Sequence, residues 1–192
     1  MTQPAVPSPR LAPRRARLSD AEAIGAVQVA SWRTTYRGIV PEDYLAAMTV
    51  EDHAERWARL LARPGTLELT FVVEEAGRVV GFALGGNERE GSTRFLGELH
   101  AIYLLQEAQR RGHGRALVEA VSGALLQRGL NSMLVWVLRD NLGARRFYER
   151  LGGVYLGEHD LDFGAGFTLM EVSYGWPDLR AGLAQPPREP LR

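Results

Sequence analysis

The sequence predicts a mixed α/β domain built on a partly parallel β-sheet, and three observations carry that expectation. The chain has 192 residues, 45% of them apolar, which suits one domain with a substantial buried core. Its apolar residues recur at a period of about 3.6 through the first third and then at about 2. Beyond the switch the order runs β-α-β-α, and that order implies crossovers and a partly parallel sheet.

The elements follow in chain order. Arg14 to Leu18 is short and strand-like. Ser19-x-x-Glu22 reads as a capping box for a first helix with Ile24, Val27 and Ser31 on one face. Arg37-Gly38 breaks that helix, Pro41-Glu42-Asp43 starts a short second one, and Thr49-x-x-Asp52 opens a third carrying Val50, Ala54, Trp57 and Leu61. Leu67 to Glu74 and Arg78 to Leu84 are β-rich and joined by Ala76-Gly77, an antiparallel hairpin. Phe95 to Leu105 is the next strand, followed by a helix with Leu117, Val121, Ala124 and Leu125 on one face, ending near Gly129. Met133 to Leu138 is a strand, and Ala144, Phe147, Tyr148 and Leu151 mark a short helix stopped by Gly152-Gly153. Val154 to Leu161 and Phe167 to Tyr174 close as a hairpin. A single domain is expected over 14–175, between a flexible proline-rich start, 1–13, and a tail, 176–192, that is loose or packed on a neighbour.

Composition excludes several functions. Basic and acidic residues number 23 each, so there is no excess positive charge for a nucleic-acid or membrane-surface partner, and a small molecule is expected instead. Every basic residue is arginine, a fork matched to phosphate that also fits a genome-wide codon bias. With no cysteine, there is no disulfide, thiolate metal site or thiol nucleophile, so acyl transfer would be direct or use another nucleophile. The four histidines are scattered without ligand spacing, and no metal site is expected. The first thirteen residues hold no apolar run for a secretory signal, and no stretch is apolar enough to span a bilayer, so a cytoplasmic location is expected.

Gln109-Arg110-Arg111-Gly112-His113-Gly114-Arg115, where a strand gives way to a helix, is the most informative stretch. A helix N-terminus presents unpaired N–H groups and partial positive charge, a natural seat for a diphosphate. Glycines let the backbone approach, and Arg110, Arg111 and Arg115 supply charge. The same residues would equally serve a plain turn with a solvated face. The third glycine of a dinucleotide fingerprint is missing, Leu117 standing there, and no Gly-Lys-Ser/Thr ending follows, which disfavours dinucleotides and nucleoside triphosphates.

Glu98-Leu99-His100-Ala101-Ile102-Tyr103-Leu104 followed by Gln109 to Gly114 resembles the core motif of the GNAT superfamily of N-acetyltransferases, Gln/Arg-x-x-Gly-x-Gly/Ala. Asn141, Ala144, Phe147, Tyr148 and Gly152 match its second element, Asn-x-x-Ala-x-x-Phe-Tyr-x-x-x-Gly. Ser31-Trp32-Arg33 to Tyr36, Gly38-Ile39-Val40-Pro41 and Tyr44-Leu45 are similar to the branch that includes spermidine/spermine acetyltransferases. The resemblance implies a mixed sheet of roughly seven strands flanked by helices and splayed between its central strands to admit pantetheine. It implies acetyl-CoA as co-substrate, held by the backbone of Ile102, Tyr103 and Leu104, by Gln109, Arg110, Arg111, Gly112, His113, Gly114 and Arg115, and by Asn141. Gln106 stands where the family often has proline, and Gly153-Val154 replaces the usual Gly-Phe; both touch only loop rigidity and packing.

Acetyl transfer to an amine needs a deprotonated nucleophile, a stabilised oxyanion and a proton for the departing thiolate. Tyr148 is the candidate acid, because a phenol of pKa about 10 lies near an alkyl thiol of about 8.5; its place on an apolar stripe equally suits a core aromatic. Glu98 and His100 share one face of an otherwise apolar strand. Glu98 is the first choice as base, since a half-buried carboxylate can take a proton directly or through water, and His100 is the second, as base or shuttle. Trp32 and Tyr36, with Tyr44, Trp57, Glu42, Asp43, Glu51 and Asp52, suggest an acidic, aromatic-walled pocket for a polyamine-like cation. A protein N-terminus or lysine is the variant acceptor, a non-catalytic acyl-CoA sensor or a nucleotide-binding enzyme the competing class, and a homodimer stays open.

Overall fold

A computed structural model describes residues 12–92 and 94–183. The helical first third is α1 (Ala21–Thr35), α2 (Glu42–Ala47) and α3 (Val50–Leu61). Thr49 caps α3 by accepting from the Asp52 N–H at 3.1 Å, as its motif predicts. Ser19 does not cap α1. Leu18–Asp20 wind into a 3-10 turn, and Asp20 instead accepts from the Arg17 backbone N–H at 2.7 Å and from Arg14. The carboxylate one residue further on wins because it also neutralises an arginine on the first strand.

Seven strands form one sheet in the order β1-β2-β3-β4-β5-β7-β6, from β1 (Arg14–Arg15), β2 (Thr70–Glu75), β3 (Arg78–Asn87), β4 (Gly97–Leu104), β5 (Met133–Leu138), β6 (Val154–Asp162) and β7 (Thr168–Trp176). Among the described strands of the sheet, only β4 and β5 run parallel, with α4 (His113–Gln127) as the crossover. The short α5 (Leu142–Arg150) leads from β5 into the closing hairpin. Leu67–Leu69 form a 3-10 turn rather than strand, so β2 begins at Thr70.

Two layers of helix cover the sheet. On one face α1 and α3 bring Ile24, Val27, Trp57 and Leu61 against Val72 and Phe82. Phe82 is fully buried, worth about 1.5–3 kcal/mol against leaving it exposed. On the other face α4 and α5 bring Leu117, Val121, Leu125, Tyr148 and Leu151 against Leu99, Val135, Val172 and Tyr174. Leu179 and Leu183, beyond β7, pack into this same core, while 1–11 and 184–192 of the expected loose ends lie outside the described residues. A third cluster, with Val29, Tyr36, Leu45 and Leu138 at its centre, packs α1 and α2 against the end of β5.

Candidate active site

The site exists because two neighbouring strands part. β4 and β5 pair only at Gly97↔Met133 and Glu98↔Leu134, then diverge, although they continue to Leu104 and Leu138. On its other side β4 stays paired with β3, but the register shifts: Leu84 faces Ala101 and Gly85 faces Leu99, leaving His100 as an extra residue. Such a bulge bends and twists its strand. Between the strands opens a cleft of about 910 Å³, lined by Leu99 to Leu104, Val135 to Val137, the 109–115 loop, the start of α5 and the end of α1. That volume suits an extended small ligand.

One mouth of the cleft is the glycine loop. Gly112 is the N-cap of α4 in the left-handed conformation (φ +88°), which a side chain disfavours, and no side chain caps the helix. The first N–H groups of α4 therefore have no partner within the helix and present an anion seat. Arg110 is itself left-handed (φ +60°), strain of the kind that gathers at ligand clamps, and it lines the cleft with Gln109, Gly112, Gly114 and Arg115. Gln109 donates to the Leu104 carbonyl at 3.3 Å, tying the loop to the end of β4. Arg111 and His113 turn the other way, to Glu75 on β2, at 3.0 Å and 2.8 Å. They brace the loop from behind, and their side chains are not among those lining the cleft.

At mid-cleft, Asn141 caps α5 by accepting the Ala144 N–H at 3.1 Å and lines the cleft with Tyr148. Burial, and then the neighbouring Tyr103 phenol, push the Tyr148 hydroxyl well above its usual range, so it stays protonated. Tyr36, at the end of α1, is likewise raised by burial, with Tyr103 adding to it. Trp32 lies behind it at a ring separation of 4.9 Å, in an aromatic cluster with Tyr44 and Phe163.

Glu98 and His100 do share a face, but their environments differ. Glu98 is buried and capped by Arg89 of the β3–β4 loop, whose Nε donates at 3.1 Å and backbone N–H at 3.2 Å. Glu98 does not line the cleft, whereas His100 does. His100 Nε2 lies 3.0 Å from the Asn87 carbonyl, an acceptor only, so that nitrogen carries the proton and Nδ1 keeps a lone pair. Burial lowers the His100 pKa, with the nearby Arg89 charge adding to it, so the ring is neutral at neutral pH. The ring fits because Gly86 has no side chain: a Cβ there would lie 2.3 Å from His100 Cε1.

The acidic residues expected around the acceptor are elsewhere. Trp57 packs on Phe82 and donates to Gln28 at 2.6 Å, Asp52 pairs with Thr49, and Glu42, Asp43 and Glu51 are exposed in first turns of helices. The sheet assembles another set: His159 Nε2 meets Glu171 at 2.9 Å, with Glu90 at 4.0 Å from Nδ1, and the imidazole stacks on Trp136 at 4.1 Å. Ligand atoms of Glu90, His159 and Glu171 lie within 4.8 Å of one another, a grouping that scattered sequence positions concealed.

The model of the acetyltransferase (GNAT) family matches residues 29–153, the span holding both strands, the glycine loop and α5. The chain belongs to this family. It is 41% identical over 169 residues to the uncharacterized N-acetyltransferase YuaI of Bacillus subtilis, covering 88% of this chain and 94% of that protein. It is 33% identical over 105 residues to the mycothiol acetyltransferase of Rhodococcus opacus, a match to 54% of this chain but only 34% of that protein. The fold is that of the PaiA N-acetyltransferase of Thermoplasma acidophilum, solved with coenzyme A (TM-score 0.64, 20% identity, 85% of this chain and 98% of that one). YncA of Salmonella typhimurium, solved with acetyl-CoA, is similar too (TM-score 0.62, 19% identity, 86% and 92%). This GNAT enzyme is an acetyl-CoA-dependent N-acetyltransferase. Among its described residues no helix is long and apolar enough to cross a membrane.

Proposed function

We propose that this enzyme moves the acetyl group of acetyl-CoA directly to a primary amine of a small cationic molecule, polyamine-like in its charge, with His100 as base and Tyr148 as acid. The observation that carries the assignment is that His100 and Tyr148 both line the cleft where β4 and β5 part, while Glu98 is buried under Arg89. The lone pair at Nδ1 takes the proton of the incoming ammonium, and Tyr148 returns a proton to the thiolate. Beyond the two shared pairs, β4 has no ladder to β5, and its edge is where the thioester carbonyl is polarised. Glu98 then acts on His100 across 3.8 Å, as a fixed charge that favours the imidazolium formed in the reaction.

Tyr36 lines the cleft beside His100 and offers an aromatic face to a cation, and the Glu98 carboxylate stands 3.8 Å behind the imidazole. Thiol release from acetyl-CoA should be fastest with diamines and polyamines in a panel that includes neutral amines, amino acids and N-terminal and lysine peptides. Preference for a peptide would overturn the small-molecule acceptor, and tight acetyl-CoA binding without release on any amine would overturn catalysis itself.

A further inference from the structure

The two walls of the cleft do not carry arginine in the same way. Arg115 of the α4 wall pairs with Glu119 at 2.8 Å, and Arg110 lies in the glycine loop beside the free N–H groups. The opposite wall is α5, where Arg145, Arg146, Glu149 and Arg150 follow one another within nine residues. Two of these are engaged on the side facing β7: Arg145 Nε donates to the Tyr174 hydroxyl at 3.2 Å, and that hydroxyl donates to Glu149 at 2.7 Å. The other two, Arg146 and Arg150, are one turn apart, exposed, and line the cleft. No ion pair or side-chain hydrogen bond to another described residue holds either one.

Like charges one turn apart destabilise an isolated helix. A last-turn position gives Arg150 a favourable interaction with the helix dipole, but Arg146 gains nothing from it. Phe147, between them in sequence, reaches across to α4: a Cβ on Gly114 would lie 3.2 Å from its Cζ. The contact fixes α5 against the glycine loop, so the pair of arginines belongs to the same mouth as the diphosphate seat, on its other side.

Resting on the acetyl-CoA reading of the cleft, we propose that Arg146 and Arg150 form a second phosphate subsite, which takes the 3′-phosphate of the coenzyme's ribose. A coenzyme A molecule carries two separate phosphate groups, and the mouth offers two separate sets of donors. The loop and the α4 N-terminus serve the diphosphate with backbone N–H groups, while the terminal phosphate monoester, nearly dianionic at neutral pH, meets two guanidinium forks. The subsite makes the enzyme prefer the complete coenzyme over its 3′-dephospho form, with no part in the chemistry at the sulfur.

Calorimetric titration of the full chain with CoA and with 3′-dephospho-CoA tests this. Wild-type protein should bind CoA about tenfold more tightly, since one phosphate on two arginines exceeds the roughly 1.4 kcal/mol that a factor of ten requires. In the double variant Arg146→Ala, Arg150→Ala the preference should vanish, with dephospho-CoA bound as in wild type, which also reports an intact fold. Arg110→Ala should instead weaken both ligands alike. Equal wild-type affinity for the two forms overturns the subsite, and so does a double variant that keeps the preference or weakens both equally. If neither form binds wild type, the acetyl-CoA reading itself fails. If the alanine variant does not fold, the double glutamine variant replaces it with the same expected outcome.

Discussion

The cofactor end and the acceptor end of the cleft are built from different kinds of chain. The cofactor end comes from one stretch, β4 through α5, in which each element hands directly to the next. The acceptor end proposed above draws on separate elements: Tyr36 at the end of α1, His100 at the bulge of β4, and Glu98 held behind it by Arg89 of the β3–β4 loop. A contiguous site must obey local rules, such as a helix N-terminus with no side chain in the way. A dispersed one answers only to the packing of its neighbours, and can change acceptor without disturbing the coenzyme seat.

The comparison can be broken or sharpened by substitutions at either end. Tyr148→Phe should lower kcat by about 10²–10⁴-fold, the usual worth of general acid catalysis, with the KM for acetyl-CoA nearly unchanged. Steady-state thiol release checks it; an equal loss in KM would make Tyr148 a binding residue. Gly112→Ala imposes a left-handed backbone on a residue with a Cβ, a cost of about 1–2 kcal/mol. The KM for acetyl-CoA should then rise about tenfold while the KM for the amine holds, as initial rates at varied acetyl-CoA would show. Glu75→Gln removes the brace behind the loop from Arg111 and His113 and should raise the same KM by about threefold, roughly what one exposed charge-assisted contact supplies. Arg89→Ala acts at the other end. It removes a charge that lowers the His100 pKa and uncovers Glu98, which raises it, so the acid limb of the pH-rate profile should move to higher pH.

Those parts of the fold that obey local rules were legible in the sequence. The capping of α5 by Asn141 went unread, while Thr49 and the Ala76-Gly77 turn sit where their motifs place them. Ser19 did not, since Asp20 found a partner in Arg14 that no local window contains. The His100 bulge was invisible, because a bulge is a property of two strands in register. Glu75 lies 38 residues from His113, and its role in bracing the loop follows only from the folded sheet. Arg89 gave no signal at all, and it is this loop arginine that pairs with Glu98, the ground on which His100 is proposed as base instead. Arg146 and Arg150 stand inside the second motif but were not singled out, since two arginines one turn apart fit any solvated helix face until the cleft beside them is seen.

The most direct test of the account is the pH dependence of kcat/KM in wild type, His100→Gln and Glu98→Gln. Burial lowers the His100 pKa, so the wild-type acid limb should fall below the usual imidazole value of about 6.5, activity being lost as pH drops and Nδ1 is protonated. The same sign governs stability: unfolded His100 binds a proton more readily than folded, so its contribution is complete above about pH 6.5 and fades as pH falls through the lowered value. In His100→Gln that limb should disappear along with most of the activity, while in Glu98→Gln it should persist, displaced downwards by loss of the carboxylate. A limb that survives His100→Gln and vanishes in Glu98→Gln would contradict the account and return the role of base to Glu98.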